Sequence, residues 1–361
     1  MAGREGINTG ELFLSELRDR LLKSSTIDLT ATLTDSKIYG HKDVISTSVP
    51  MINVALSGTV DGGLTPGLTV LAGPSRHFKT GFALLMAAAF LKKYPEGVIL
   101  FYDSEFGTPQ SYFKSYDIPF DQVIHTPVTN IEELKFDMTQ QLEQISRKDH
   151  VMIIVDSIGN LASKKEVEDA RDQKSVADMT RAKAIKSLLR IITPHLTLRD
   201  IPMVMVNHTY KEQTMYPRDV MSGGTGPYYN ADNIWILGRQ QDKDKEGIQG
   251  YKFVINIEKS RYVKERSRIL VSITYDEGIN KWSGLFEEAL DLGWIAKVKQ
   301  GRYSLVDQTT SKPLEDDFSE RDLAGNGRVW QTLLPAGFAD AIREKYHLGE
   351  RMILNNEEEV E

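Results

Sequence analysis

Cysteine is absent from the 361 residues. No disulfide framework and no thiolate metal site can therefore be built, which fits a reducing compartment. Long apolar runs are missing as well: none approaches the ~18 residues that a membrane-spanning helix needs. The opening segment MAGREGINTGELF carries no apolar core of the secretory-leader kind, so a cytoplasmic location is expected. Excess positive charge is lacking too. With 44 Lys and Arg against 51 Asp and Glu, the net charge is −7. That counts against binding nucleic acid with the whole surface and leaves room only for a local basic face. There is no tandem repeat, and the one biased segment is the acidic NNEEEVE, expected to be disordered. What is present is ordinary for a globular chain. Apolar residues make up 40% and charged residues 26%, over a length that suits one large domain with appendages or two domains.

A last absence sits in the most informative stretch. Residues 67–90 read GLTVLAGPSRHFKTGFALLMAAAF: an apolar strand, Gly73, a short loop, Lys79-Thr80 and an apolar, helix-forming run. This is the strand–loop–helix context of a phosphate-binding loop, in which backbone N–H groups at a helix N-terminus face an anion. In that reading Gly73, Pro74, Ser75, Arg76, His77 and Phe78 form the cradle, Lys79 reaches the β- and γ-phosphates of ATP, and the Thr80 hydroxyl sits on Mg2+. The general pattern calls for Gly at 78, however, and the chain has Phe78. The plainer alternative is a solvated turn with Lys79 as an ordinary first-turn lysine, a position where the helix dipole disfavours a cation.

Around this stretch the chain alternates. Apolar runs at 97–105, 123–128, 151–156 and 201–206 read as strands, and 131–145 and 177–192 as helices. Continuous apolar strands between helices predict an α/β fold with a mostly parallel sheet covered on both faces. From 233 the helices drop out: 233–240, 251–261 and 268–275 read as strands, with 240–250 as a hairpin loop, giving an antiparallel extension. Further on, 283–292 reads as a helix, 293–306 as a small hairpin, 307–328 as a polar connection and 335–346 as a last helix. Near the start, Leu12, Phe13, Leu17, Leu21 and Leu22 mark an amphipathic helix over 11–23, whose apolar face on its own predicts packing against the same chain. The expected division is 1–45 as an N-terminal helical segment, 46–285 as the core and 286–361 as a small C-terminal region.

Ligands of such sheets bind at the carboxyl ends of the strands. Glu105, Asp156 and the pair Asn207-His208 all stand there. Asp156, after an apolar run, is a candidate Mg2+ carboxylate, with Ser157 beside it able to hydrogen-bond in the site. Glu105 could orient and deprotonate an attacking water, and Asp103 shares its strand face by the two-residue period. Asn207-His208 could sense a γ-phosphate and move the loop that follows. The bland readings are a capping acid, a solvated loop acid and a hydrogen-bonded strand-end histidine. Two long loops follow. Residues 159–176 carry Lys164, Lys165, Arg171 and Lys174; residues 209–230 carry Tyr210, Lys211, Tyr216, Arg218, Gly223, Gly224, Gly226, Tyr228 and Tyr229. Both are expected to lack regular structure, with glycines allowing approach to phosphates and aromatics contacting bases. In 259–268 (KSRYVKERSR) Lys259, Arg261, Lys264, Arg266 and Arg268 oppose only Glu265. These are either a solvated turn or cations aimed at the phosphates of DNA or of a nucleotide on a neighbouring subunit.

Taken in order, ALSGTVDGGLTPGLTVLAGPSRHFKT, FYDSEFG, VDSIGNLASKKEVEDA, DMTRAKAIKSLLRIITP, NHTY, GGTGP and FVINIEKSR resemble the RecA family, and within it the phage recombinases of the UvsX type. The resemblance spans roughly residues 11–300. It implies a RecA-type P-loop NTPase core, a DNA-dependent ATPase and strand-exchange recombinase, with ATP and Mg2+ as cofactors. The UvsX group has Phe where the general pattern has Gly, as at Phe78. Glu105 falls on the family's water-activating glutamate and Asp156 on its Mg2+-associated aspartate. Asn207-His208 falls on the nucleotide-sensing pair, which is Asn-Gln in bacterial members, and Tyr112 on the adenine-stacking tyrosine. Lys259 and Arg261 fall on the two cations that reach across a filament interface to ATP, and the two long loops on the DNA-binding loops. By the same resemblance the N-terminal helix docks on the adjacent protomer, which reverses the expectation from its face alone. The implied partners are single-stranded and double-stranded DNA, further copies in a head-to-tail helical filament, a single-strand-binding protein and a recombination mediator. No membrane is involved, and the location is the cytoplasm of an infected host cell. Two other classes share such a core: a hexameric DNA helicase or motor, and a DNA-pairing scaffold without turnover.

Overall fold

Strands that are apolar on both sides need cover on both sides, and the central sheet has it. The computed structural model describes residues 9–36, 38, 43–172, 180–212, 215, 217–244, 247–275, 278–314 and 317–349. Lys174, Tyr216 and the acidic end therefore lie outside the described residues. Residues 1–42 and 43–361 form two separate compact units. The first holds α1 (Thr9–Ser24), on which Phe13, Leu14 and Leu21 are exposed. No helix of the described residues is long and apolar enough to cross a membrane.

The larger unit begins with α2 (Pro50–Ser57), β1 (Gly67–Ala72), α3 (Lys79–Lys93), β2 (Val98–Asp103), α4 (Gln110–Ser115), β3 (Val123–Pro127), α5 (Ile131–Gln144) and β4 (Val151–Asp156). It continues with α6 (Lys164–Arg171), α7 (Thr180–Leu198), β5 (Pro202–Asn207), β6 (Thr209–Lys211), β7 (Asp219–Met221) and α8 (Gly226–Asn230). Then come β8 (Asn233–Asp244), β9 (Gly247–Ser260), β10 (Arg268–Thr274) and β11 (Gly278–Ile279). Nine strands form one sheet in the order β11-β10-β9-β8-β1-β5-β4-β2-β3. From β8 to β3 every neighbour is parallel; from β8 to β11 every neighbour is antiparallel. The mostly parallel sheet with an antiparallel extension is thus as the sequence pattern predicts, although β8 still pairs parallel to β1 and the extension begins at β9.

β1 shows why the strand needs two layers. All six of its residues are buried. Leu68, Val70 and Ala72 face one core with Leu134, Met138, Leu188 and Ile192 from α5 and α7. Leu71 faces the other with Ile52, Phe82 and Phe90 from α2 and α3. Alternate side chains of a strand point to opposite faces, so each face supplies one apolar layer. α2 escapes the periodicity reading because nearly its whole circumference is apolar. Met51 to Leu56 are all buried, and Gly58 closes it in the left-handed conformation at φ 82°.

The C-terminal part adds α9 (Leu285–Asp291), the small sheet β12 (Ile295–Lys299), β13 (Arg302–Asp307) and β14 (Lys312–Pro313), then α10 (Glu320–Gly325), α11 (Gly327–Leu333) and α12 (Ala339–Tyr346). Several expectations need correction. The segment 240–250 is mostly strand, because β8 and β9 keep pairing through polar residues, Gln240 with Lys252 and Asp242 with Gly250. α7 passes its expected end at 192 and runs through Pro194, since burial of Leu196 rewards another turn. The expected connection 307–328 contains β14 and α10, the latter started by a Ser319/Asp322 capping box. The loop 159–176 contains α6, opened by the capping box of Ser163 and Glu166. The loop 209–230 starts as the β6–β7 hairpin and ends as α8. Polar composition hid these elements, because their order comes from caps and ladders rather than from apolar faces.

Candidate nucleotide site

Register brings the polar residues to one edge. β2 and β4 end side by side at Asp103 and Asp156, and β1 and β5 at Ala72 and Asn207. The loop from Gly73 leads from this edge into α3. The Lys79 side chain folds back over that loop and donates to the carbonyls of Gly73 (3.0 Å) and Pro74 (2.8 Å). Burial pushes its pKa down, opposed by the charges of Glu105 and Asp156. His77 Nδ1 donates to the Ser75 carbonyl (2.9 Å), and Arg239 of β8 donates to the Arg76 carbonyl (3.0 Å). Arg239 also lies over the Tyr251 ring at 4.4 Å, beside the exposed Tyr275. Sequence reasoning missed this arginine; one basic residue in an alternating strand gives no local signal.

Phe78 adopts φ 59° and ψ 23°, the left-handed region that usually goes to glycine. Holding a non-glycine residue there costs on the order of 1–2 kcal/mol. The ring is turned away from the phosphate loop. It packs edge-on against Phe82 (5.5 Å between centroids) and against Phe253 of β9 (5.7 Å). Gly81 makes the room: a Cβ there would lie 2.3 Å from the Phe78 ring. The general pattern's glycine is therefore replaced by a strained residue whose side chain is anchored in the core.

Thr80 donates from Oγ1 to Asp156 Oδ2 at 2.6 Å. Asp156 is buried, and among the described residues its Oδ1 is one of three buried side-chain atoms with no hydrogen-bond partner. Burial pushes the carboxyl up to about 6. Glu105 accepts on Oε1 from Ser157 Oγ (2.5 Å), and His208 Nε2 lies 3.0 Å from the same oxygen. These hydrogen bonds, that of His208 foremost, hold the carboxyl down at about 2. Asp103 does not join this set as a second acid. It caps the turn instead, accepting from the backbone N–H groups of Glu105 (3.0 Å) and Phe106 (2.8 Å).

His208 is wedged. A Cβ on Gly159 would come within 2.4 Å of its ring, so the start of one loop rests on the start of the other. Asn207 is fully buried, donating to the Ser222 carbonyl (2.9 Å) and accepting from the Ser222 hydroxyl (2.8 Å). It ties the residue after β7, in the second loop, back to β5. Tyr112 stands half exposed on α4, outside this hydrogen-bonded set. Lys164, Lys165 and Arg171 are exposed on α6, and Tyr210 and Arg218 on the second loop. Lys211 pairs with Asp219 at 2.9 Å. Gly223 and Gly224 take positive φ (90° and 72°). Gly226 lets α8 approach α7, where a Cβ would lie 3.0 Å from the Lys186 backbone.

Lys259 and Arg261 are placed elsewhere. Lys259 donates to the Tyr228 carbonyl (2.5 Å), and Arg261 Nε pairs with Asp232 Oδ1 (2.5 Å). Asp232 and Leu68 exchange hydrogen bonds, so Arg261 sits level with the start of β1. From Leu68 to Gly73 is about five strand residues, or roughly 16 Å at ~3.3 Å each.

Comparison with known proteins fits this geometry. The RecA N-terminal domain model matches residues 9–280. A recombination and repair protein of enterobacteria phage T4 is 47% identical over 93% of this chain and 87% of its own length. Protein RecA of a Wolbachia species is 26% identical over 71% of this chain and 70% of its own. Protein RecA of Leptospira meyeri is 24% identical over 70% and 66%.

Proposed function

The chain belongs to the RecA family, and from that premise we propose that it is an ATP-dependent recombination protein. It forms helical filaments on single-stranded DNA, pairs that DNA with a homologous duplex and exchanges strands, with DNA-stimulated ATP hydrolysis. The observation that carries this reading is the single edge on which Lys79, the Thr80–Asp156 pair and the Glu105–Ser157–His208 set converge.

The residues present fit a divalent cation at that edge. Thr80 and Asp156 are hard oxygen donors, and Asp156 Oδ1 is a buried acceptor without a donor. Mg2+ needs few protein ligands beside phosphate oxygens and water. When bound, it neutralises phosphate charge. The chain's own residues do the rest. A triphosphate competes for Lys79 with the carbonyls of Gly73 and Pro74 and draws the ammonium outward. Glu105 is ionised at neutral pH and orients a water in line with the γ-phosphate; a carboxyl held at about 2 stays available to accept the water's hydrogen bond and does not retain the proton. His208 touches Glu105 on one side and the first loop's root on the other. Movement of Glu105 on phosphate release is thereby passed to the DNA-binding loops, where Lys164, Lys165, Arg171, Tyr210, Lys211, Arg218 and the three glycines meet DNA.

Lys259 and Arg261 sit too far down the sheet to serve their own phosphate loop. They complete the site of the next subunit, so the interface is heterologous and open-ended. The segment 1–45 docks on that neighbour, Tyr112 stacks on adenine, and a single-strand-binding protein and a mediator load the filament in the host cytoplasm. The test is strand exchange between homologous DNAs with ATP and Mg2+, beside electron microscopy on single-stranded DNA. Exchange with open helical filaments is expected. Closed rings that unwind duplex without exchange would replace this reading by that of a motor.

A further inference from the structure

We propose that Asp232 is a positioning residue that sets the reach of Arg261 toward the neighbouring subunit's nucleotide. The inference rests on the reading of Arg261 as an interface cation and goes beyond it in naming what aims the guanidinium. Arg261 has a long, largely exposed side chain, 60% open to solvent. Left free, such a side chain samples many rotamers, and orientation must be supplied at each encounter. Here it is not free. Its Nε is held by Asp232 Oδ1 at 2.5 Å, and its backbone N–H donates to the Asp232 carbonyl at 3.1 Å.

The anchor is itself fixed. Asp232 is 8% exposed at its side chain. Its Oδ2 accepts from the Leu68 N–H at 3.0 Å, and its own N–H donates to the Leu68 carbonyl at 2.8 Å. Gly67, at φ 119°, leaves the space: a Cβ there would fall 2.1 Å from Oδ2. The carboxylate is thus pinned to the first residues of the central strand and offers its one remaining oxygen to Arg261. With Nε engaged, the exposed guanidinium still has its two terminal nitrogens to offer to phosphate oxygens. Lys259 is set the same way, by the carbonyl of Tyr228 four residues earlier on the same bracket. Tyr228 lies in α8 at the end of the second loop, and Asp232 follows that loop directly in the chain.

Asp232→Asn keeps the volume and an oxygen for the Leu68 N–H but removes the charge that holds Nε. DNA-stimulated ATP turnover by the full chain should fall about 10- to 100-fold, with KM for ATP little changed, as expected of misplacing a group that acts in the transition state. In an Arg261→Ala background the same change should add less than about 2-fold, since it acts only through the arginine. A circular-dichroism melt of each variant separates loss of fold from loss of aim. Arg261→Ala without effect on turnover would overturn the interface-cation reading itself. If Arg261→Ala is impaired while Asp232→Asn turns over normally, or if the two losses multiply, the positioning role is wrong and the cation reading stands.

Discussion

Two buried carboxylates, one at each end of the molecule's work, are treated differently. Glu288 on α9 is 6% exposed and fully met: Tyr346 donates to Oε1 and Lys345 to Oε2. It clasps the last helix to the core. Asp156 is 3% exposed and half met, with Thr80 on one oxygen and, among the described residues, no hydrogen-bond donor on the other. A buried charge without partners is costly unless something else arrives to share it. The satisfied acid belongs to the fold and the unsatisfied one to the site. Backbone strain adds to this at the phosphate loop, where Arg76 and Phe78, two residues apart, both hold positive φ (61° and 59°).

The largest test of that contrast is at Glu105. Glu105→Gln keeps the shape and the Ser157 contact but removes the charge proposed to orient water. Turnover should fall about 10²- to 10⁴-fold, while binding of ATP and DNA, read by fluorescence anisotropy, stays near normal. Turnover within a factor of about two of the parent would reassign the water-orienting role.

Next is Asp156→Asn. The folded carboxyl titrates at about 6 against an ordinary 3.8, so the folded state binds the extra proton between those values. Stability of the parent therefore falls as pH rises from 4 to 6 and is flat above. Relative to the parent, the amide should be neutral near pH 4 and more stable by about 3 kcal/mol at pH 7.5, measured by urea unfolding without nucleotide. Adding Mg-ATP should reverse the order, because only the parent gains binding energy. A destabilised amide at pH 7.5 would mean that the site holds no unrelieved charge.

Glu288→Gln is the counterpart. Here a satisfied carboxylate loses its charge pair with Lys345, and a loss of about 2 kcal/mol is expected with turnover unchanged. Equal behaviour of the two acids in unfolding experiments would dissolve the distinction between them.

How far these features were readable from the sequence follows the same division. Lys79, Thr80, Glu105, Asp156 and His208 were legible because each closes an apolar strand or opens a helix, and parallel strands end at one edge. The antiparallel extension was legible from the missing helices. Asp232 was not: it lies 29 residues before Arg261, and only the pairing of Asn233 with Ser260 brings the two together. Arg239 was hidden for the same reason, since its meaning depends on Arg76 across a tertiary gap. Gly81 lies only three residues from Phe78 and was hidden because the direction of the Phe78 ring is set by Phe253 of β9. α6 and the β6–β7 hairpin were hidden because caps and ladders order polar residues without leaving an apolar period.

The smallest effect is the sharpest about strain. Phe78→Ala removes the ring from between Phe82 and Phe253 yet leaves a Cβ at φ 59°. Phe78→Gly opens the same space and also relieves the left-handed backbone. Both variants should be less stable than the parent by about 2–3 kcal/mol, from the lost aromatic packing of a partly buried ring. Glycine, ordinarily the more destabilising of the two, should here be the milder by about 1 kcal/mol, the part of the strain that alanine retains. Thermal and urea unfolding of the pair measures that difference directly. If alanine proved the more stable, the loop would not be holding strain at this position, and the anchoring of Phe78 by Gly81 would be packing alone.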